Sequence, residues 1–72
     1  METVKEFFSP SKKFKAEIFK RDDGLFHIDV FIWDEEWETW LFHSQGFSLT
    51  NTISNAEKIA IENLRNYSGE LF

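Results

Sequence analysis

The two segments flanking Arg21-Asp22-Asp23-Gly24 constrain this chain more than any other feature. Before the turn, Phe14, Ala16 and Ile18 alternate with Lys13, Lys15 and Glu17; after it, Phe26, Ile28, Val30 and Ile32 alternate with His27, Asp29, Phe31 and Trp33. A period of two places alternate side chains on opposite faces of a strand, so both segments read as strands with one apolar face. Gly24 accepts the left-handed backbone that closes a three-residue hairpin loop. With the loop at Asp22 to Gly24, Arg21 faces Leu25, and Ile18 pairs with Ile28, Ala16 with Val30 and Phe14 with Ile32. A two-residue loop at Asp23-Gly24 would set Glu17 against Val30 and expose half of the apolar set, so the three-residue loop is predicted.

A second hairpin is predicted at Asp34-Glu35-Glu36. A three-residue loop there pairs Trp33 with Trp37, Val30 with Trp40 and Ile28 with Phe42, giving a third strand from Trp37 to Ser44. A two-residue loop instead turns Trp37, Leu41 and His43 toward the core, and the pattern discriminates poorly between the two. Beyond Gln45-Gly46 the chain loosens through Phe47 to Thr52. Ser54 and Glu57 then present a Ser-x-x-Glu capping box at the head of a helix. Its apolar stripe is Ile53, Ala56, Ala60, Leu64 and Tyr67, flanked by Ile59 and Ile61, and Gly69 suits a left-handed stop.

The predicted architecture is α+β: a single domain over 1–72 with a three-stranded antiparallel β-meander (12–44) and one C-terminal helix (53–67) packed on one face, βββα. The only proline, Pro10, separates a lead-in segment, 1–11, whose residues 3 to 8 are read as a short helix or an extra edge strand. The helix stripe carries two alanines, which suggests close approach to the sheet.

Composition bounds the function classes. A chain of 72 residues buries a smaller fraction of its surface than one of ordinary size, so its nine Phe, three Trp and one Tyr must supply most of the core. With no cysteine there is no disulfide and no thiolate metal site, which favours a cytoplasmic location. No apolar run approaches the roughly 18 residues that span a bilayer, and Met1-Glu2-Thr3-Val4-Lys5 lacks a secretory apolar stretch, so the chain is read as complete, soluble and without a membrane partner. The formal charge of −5 repels phosphate backbones and disfavours nucleic acid.

No catalytic constellation stands out, and the chain is read as a binding protein rather than an enzyme, with no cofactor. Neither a nucleophile elbow nor a glycine-rich phosphate loop is present. The preferred register sets His27 opposite His43 with Asp29 on the same face, a weak metal-site pattern, and no metal is assigned. The binding candidates lie elsewhere. One helix covers one sheet face, leaving Phe19, Phe31, Trp33, Trp37 and Leu41 on the other. Contiguous exposed aromatics mark interaction surfaces unless the lead-in, with Val4, Phe7 and Phe8, folds over them or a second copy covers them as a homodimer. The acidic knot Asp34, Glu35, Glu36 and Glu38 is bracketed by Trp33, Trp37 and Trp40. Negative charge with rigid apolar anchors suits a basic groove on another protein. The chain is therefore read as a small acidic protein-binding module, a regulator or inhibitor compatible with a phage- or mobile-element-encoded host modulator. A self-associating structural subunit without other ligands is the alternative.

A further alternative comes from a resemblance. Three antiparallel strands followed by a helix carrying Ala56, Ala60 and Leu64 resemble the C-terminal two-thirds of a double-stranded RNA-binding domain, over about residues 12 to 67. That likeness implies duplex-RNA binding through the head of the last helix. The matching stretch here, Ile53 to Lys58, offers only Lys58 as a phosphate ligand, and residues 1 to 8 stand where that family has its first helix.

Overall fold

The structure, a computed structural model, describes residues 2–45 and 49–72. Four antiparallel strands, β1 (Glu2–Phe8), β2 (Phe14–Lys20), β3 (Phe26–Asp34) and β4 (Thr39–Gln45), form one sheet in sequence order, and helix α1 (Ile53–Ser68) follows. The α+β class and the C-terminal helix are as expected, but the sheet has four strands, not three. The lead-in is the additional edge strand: Lys5 pairs with Ile18, Glu6 with Glu17 and Phe7 with Ala16. Alternation explains why. Lys5 and Phe7 share the helix face, where Lys5 reaches Glu57 at 3.4 Å and Phe7 packs on the core. Glu6 and Phe8 share the outer face. A strand thus also occupies the place of the first helix of the RNA-binding layout.

The β2–β3 hairpin has the predicted register throughout, Phe14 with Ile32, Ala16 with Val30 and Ile18 with Ile28. Its loop closes through Arg21 N–H to the Leu25 carbonyl at 2.8 Å, with Gly24 at φ 83°. Ala16, Ile18, Ile28 and Val30 are fully buried. The helix seats Ala56, Ala60 and Leu64 on this face, also fully buried, and packs mainly against β2 and β3. Small alanine side chains let the helix axis approach, and each large aliphatic side chain taken out of water contributes about 1.5–3 kcal/mol.

The second hairpin departs from the expected register. Trp33 pairs with Trp40, Ile32 with Leu41 and Phe31 with Phe42, so the loop is four residues, Glu35 to Glu38, and the last strand begins at Thr39. Two local features hold it. The Asp34 carboxylate accepts the Trp37 N–H at 2.9 Å, and Glu38 takes a left-handed φ of 52°. A register shift after Val30 leaves His43 as a bulge. The change reverses the faces of β4: Trp40 and Phe42 lie on the outer face, while Leu41 and His43 lie on the helix side.

The helix begins at Ile53, but its cap lies two residues before the Ser54 of the Ser-x-x-Glu box. Thr52 is the N-cap, its hydroxyl accepting the Asn55 N–H at 3.2 Å, and Gly69 ends the helix at φ 69°. Of the loose stretch before it, residues 46–48 lie outside the described residues, while Thr50 bridges to Phe26 through reciprocal backbone hydrogen bonds of 2.8 and 3.2 Å. Beyond the helix, Glu70 accepts both the N–H and the hydroxyl of Ser11 at 2.8 Å, tying the C-terminal tail to the β1–β2 turn.

Candidate protein-interaction site on the outer face and the β3–β4 hairpin

Alternation in β2 directs Lys15, Glu17 and Phe19 to the outer face, where β3 adds His27, Asp29, Phe31 and Trp33 and the observed register adds Trp40 and Phe42. Lys15 organises this surface. It is 9% exposed, its ammonium lies 3.0 Å from Glu6 and 2.8 Å from Glu17, and it stands over the rings of Trp40 (4.8 Å to the centroid) and Phe31 (5.4 Å). Two carboxylates and two aromatic faces replace the water it gives up. Burial lowers the Lys15 pKa, but hydrogen bonds and charge from Glu17 and Glu6 raise it more, and the net shift is upward.

The rings close over this cation. Phe8 in β1 reaches Trp40 in β4 at a centroid distance of 6.0 Å, and Trp40 meets Trp33 edge-on at 5.3 Å. Three inter-strand spacings of about 4.8 Å would separate β1 from β4 in a flat sheet, so sheet twist and inward-leaning side chains bring these ends together. An open cleft of about 390 Å³ lined by Phe8, Lys12, Trp33 and Trp40 remains above them. The outer face is therefore partly closed by its own residues, and Phe19, Phe31 and Trp33 are half-buried. Phe19 lies against the His27 ring at 5.1 Å, and Phe31 meets Phe42 edge-on at 6.1 Å.

Apart from Phe8, itself exposed at the β1 edge, the exposed rings of the sheet lie at the hairpin tip and on β4. Trp37 is 75% exposed, Phe42 60% and Leu41 43%. Glu35, Glu36 and Glu38 point into solvent around Trp37, whereas Asp34 is drawn in by its bond to the Trp37 amide. Lys13 approaches Glu35 at 3.9 Å, but both side chains are largely exposed, so solvent screens the pair. Of the residues predicted for binding, Trp33, Asp34, Glu35, Glu36, Trp37 and Glu38 thus sit together at one end of the sheet. Phe19 lies near the far end of β2, and Leu41 is on the helix side, opposite its expected face, because the four-residue loop shifts the pairing. Sequence reasoning offered Phe8 as a cover for the outer-face rings but assigned neither it nor Lys15 to the binding site, and its preferred register turned Trp40 and Phe42 to the core. The signal for Phe42 was its spacing of two from Trp40, matching Phe31 and Trp33 on the neighbouring strand.

The two histidines do not face each other. His27 is on the outer face, 8% exposed, with its Nε2 at 3.8 Å from Asp29. His43 is on the helix side, edge-on to Phe14 at 6.1 Å and to Tyr67 at 5.3 Å. The bulge and the shifted register separate them. Among the described residues no group of three or more His, Asp or Glu side chains is placed to hold a metal ion. Asp29 has a raised pKa: burial is the largest cause and the charge of Glu17 adds to it, while His27 opposes both. No helix among the described residues is long and apolar enough to cross a membrane. No family model, no curated protein and no solved structure matches this chain.

Proposed function

We propose that this chain is a small acidic protein-binding module, a regulator or inhibitor, whose β3–β4 hairpin engages a basic surface on another protein. The observation that carries this reading is Trp37, 75% exposed in the middle of Glu35, Glu36 and Glu38 on a turn braced by Asp34. A large ring held in water on a short, capped turn loses little conformational freedom on binding and gains apolar burial, which is the economy of an interface anchor. The surrounding carboxylates, and the overall charge of −5, speed encounter with a basic partner and repel acidic ones. Alanine at Trp37 is expected to leave stability within about 0.5 kcal/mol of the parent, since exposed side chains contribute little to folding.

The test is capture on immobilised Trp37→Ala and Glu35→Lys/Glu36→Lys variants beside the parent, followed by calorimetry on the retained partner. Lost affinity with Trp37→Ala, and weaker affinity with a shallower salt dependence for the charge reversal, support the proposal. Unchanged affinity and unchanged salt dependence in both variants refute it.

A further inference from the structure

We infer that the cleft between the β1–β2 turn and the Trp33–Trp40 pair binds a small aromatic carboxylate, its ring held by Phe8, Trp33 and Trp40 and its carboxylate by the Lys12 ammonium. The cleft measures about 390 Å³, which accommodates a bicyclic ring with a short acidic arm. Its walls are set at steep angles. Trp33 and Trp40 meet edge-on at 5.3 Å, and Phe8 is inclined to Trp40 at 54°. Such walls offer a flat guest both a stacking face and an edge contact, the two arrangements that aromatic pairs prefer.

Charge selects an anion. Lys12 is the one charged residue lining the cleft, and among the described residues its ammonium forms no ion pair. The charges around it are matched: Lys13 approaches Glu35, Lys15 serves Glu6 and Glu17, and Glu70 is held by Ser11. A cationic guest is disfavoured by Lys12 and again by Lys15, whose ammonium already occupies a face of Trp40 at 4.8 Å from the centroid. The overall charge of −5 repels anions at long range, but at physiological ionic strength charges are screened beyond about 8 Å, so the cation lining the cleft decides.

The turn that presents Lys12 is rigidly built. The Lys12 N–H donates to the Ser9 carbonyl at 2.9 Å, and the Lys13 N–H to the Ser11 hydroxyl at 3.2 Å. Buried Ser9 donates its N–H to the Phe14 carbonyl at 2.9 Å and accepts the Phe14 N–H on its hydroxyl at 3.3 Å. Within this frame Lys12 takes a left-handed φ of 62°, a backbone that glycine adopts more cheaply. A lysine thus stands there against a local conformational cost, of the kind that collects at ligand sites. Trp37 does not line the cleft, so this site is separate from the partner-binding proposal, and failure of either leaves the other standing.

The experiment is a titration of the full chain with indole-3-acetate, indole-3-acetamide and tryptamine, probes that share one ring and differ in charge, followed by NMR of the amide and indole N–H groups at about 0.15 M salt. The expected result is saturable shifts of the Trp33 and Trp40 indoles and of the Lys12 amide. Indole-3-acetate should bind about two- to fivefold more tightly than the amide, with tryptamine weakest. Lys12→Met, which keeps the stem, should erase the preference for the acetate, Lys12→Arg should keep it, and Trp37→Ala should leave it unchanged; the β2 and β3 amide shifts are the fold control. Three results each overturn the inference: no saturable shift at Trp33 and Trp40 with indole-3-acetate up to roughly 10 mM, tryptamine binding as tightly as the acetate, or a preference that survives Lys12→Met. Should Lys12→Met disturb the fold control, the ranking of the three probes on the parent decides.

Discussion

The ammonium of Lys15 stands 4.8 Å from the centroid of the Trp40 ring, although their strands are separated by the whole width of β3. This contact joins the β1–β2 half of the sheet to the aromatic pairs of β3 and β4. It also explains why a lysine is among the least exposed side chains of the outer face.

Lys15→Met keeps the stem and removes the charge, leaving Glu6 and Glu17 without the cation they share. The expected loss is about 1–3 kcal/mol, read as a lower urea midpoint with an unchanged slope. Because the folded state raises the Lys15 pKa above its ordinary 10.5, the stabilisation is fully present below that pH and is lost as pH rises through the folded-state value. The parent should therefore show an alkaline loss of stability that Lys15→Met lacks.

Asp29 lies directly across from Glu17, and its folded-state pKa is raised above 3.8. A raised carboxyl pKa means that ionisation costs stability at neutral pH and that the cost disappears as pH falls below the ordinary value. Asp29→Asn removes one of two facing like charges and is expected to stabilise the fold by about 0.2–1 kcal/mol at pH 7. The advantage over the parent should vanish at pH 3, and denaturation curves at the two pH values check both signs.

Thr52, not Ser54, caps the helix, and the two hydroxyls can be ranked. Thr52→Ala is expected to cost about 0.5–2 kcal/mol through the lost bond to the Asn55 amide. Ser54→Ala, at an exposed position within the first turn, should stay within about 0.5 kcal/mol of the parent. Equal losses in the two variants would contradict the assignment.

Glu70 holds the C-terminal tail on Ser11, and its pKa is lowered. Partial desolvation pushes it up, but the Ser11 hydroxyl and amide, Ser9 and the charge of Lys13 outweigh that. The clamp is therefore complete above the ordinary value of 4.5 and is released as pH falls through the lower folded-state value. The Ser11 amide proton should titrate with a midpoint below 4.5, and Glu70→Gln should abolish that titration while leaving the shifts of β2 and β3 in place.

The β2–β3 hairpin was legible because three signals agreed: period-two alternation, a glycine at the position needing positive φ, and a register in which apolar meets apolar. The helix stripe was legible for the same kind of reason, since Ala56, Ala60 and Leu64 recur at helical spacing and Gly69 follows. The exact cap was not, because Thr52 and Ser54 both precede apolar residues and only backbone geometry selects the bond to Asn55. The lead-in was ambiguous because one strand of seven residues at a sheet edge needs no strong alternation of its own; Phe7 and Phe8 point to opposite faces and each finds a partner there.

By itself, then, the sequence determined the α+β class, the first hairpin and its register, the buried helix face and the concentration of carboxylates around Trp37, because each depends on local periodicity, turn chemistry or charge. The tertiary structure decided the fourth strand, the faces of Trp40, Leu41, Phe42 and His43, and the burial of Lys15. The physical reason lies in the Glu35–Glu38 loop. Any residue added to a hairpin loop changes the strand pairing, and its length here is favoured by aromatic pairing across β3 and β4 and by a cation on the neighbouring strand, partners that no local window contains.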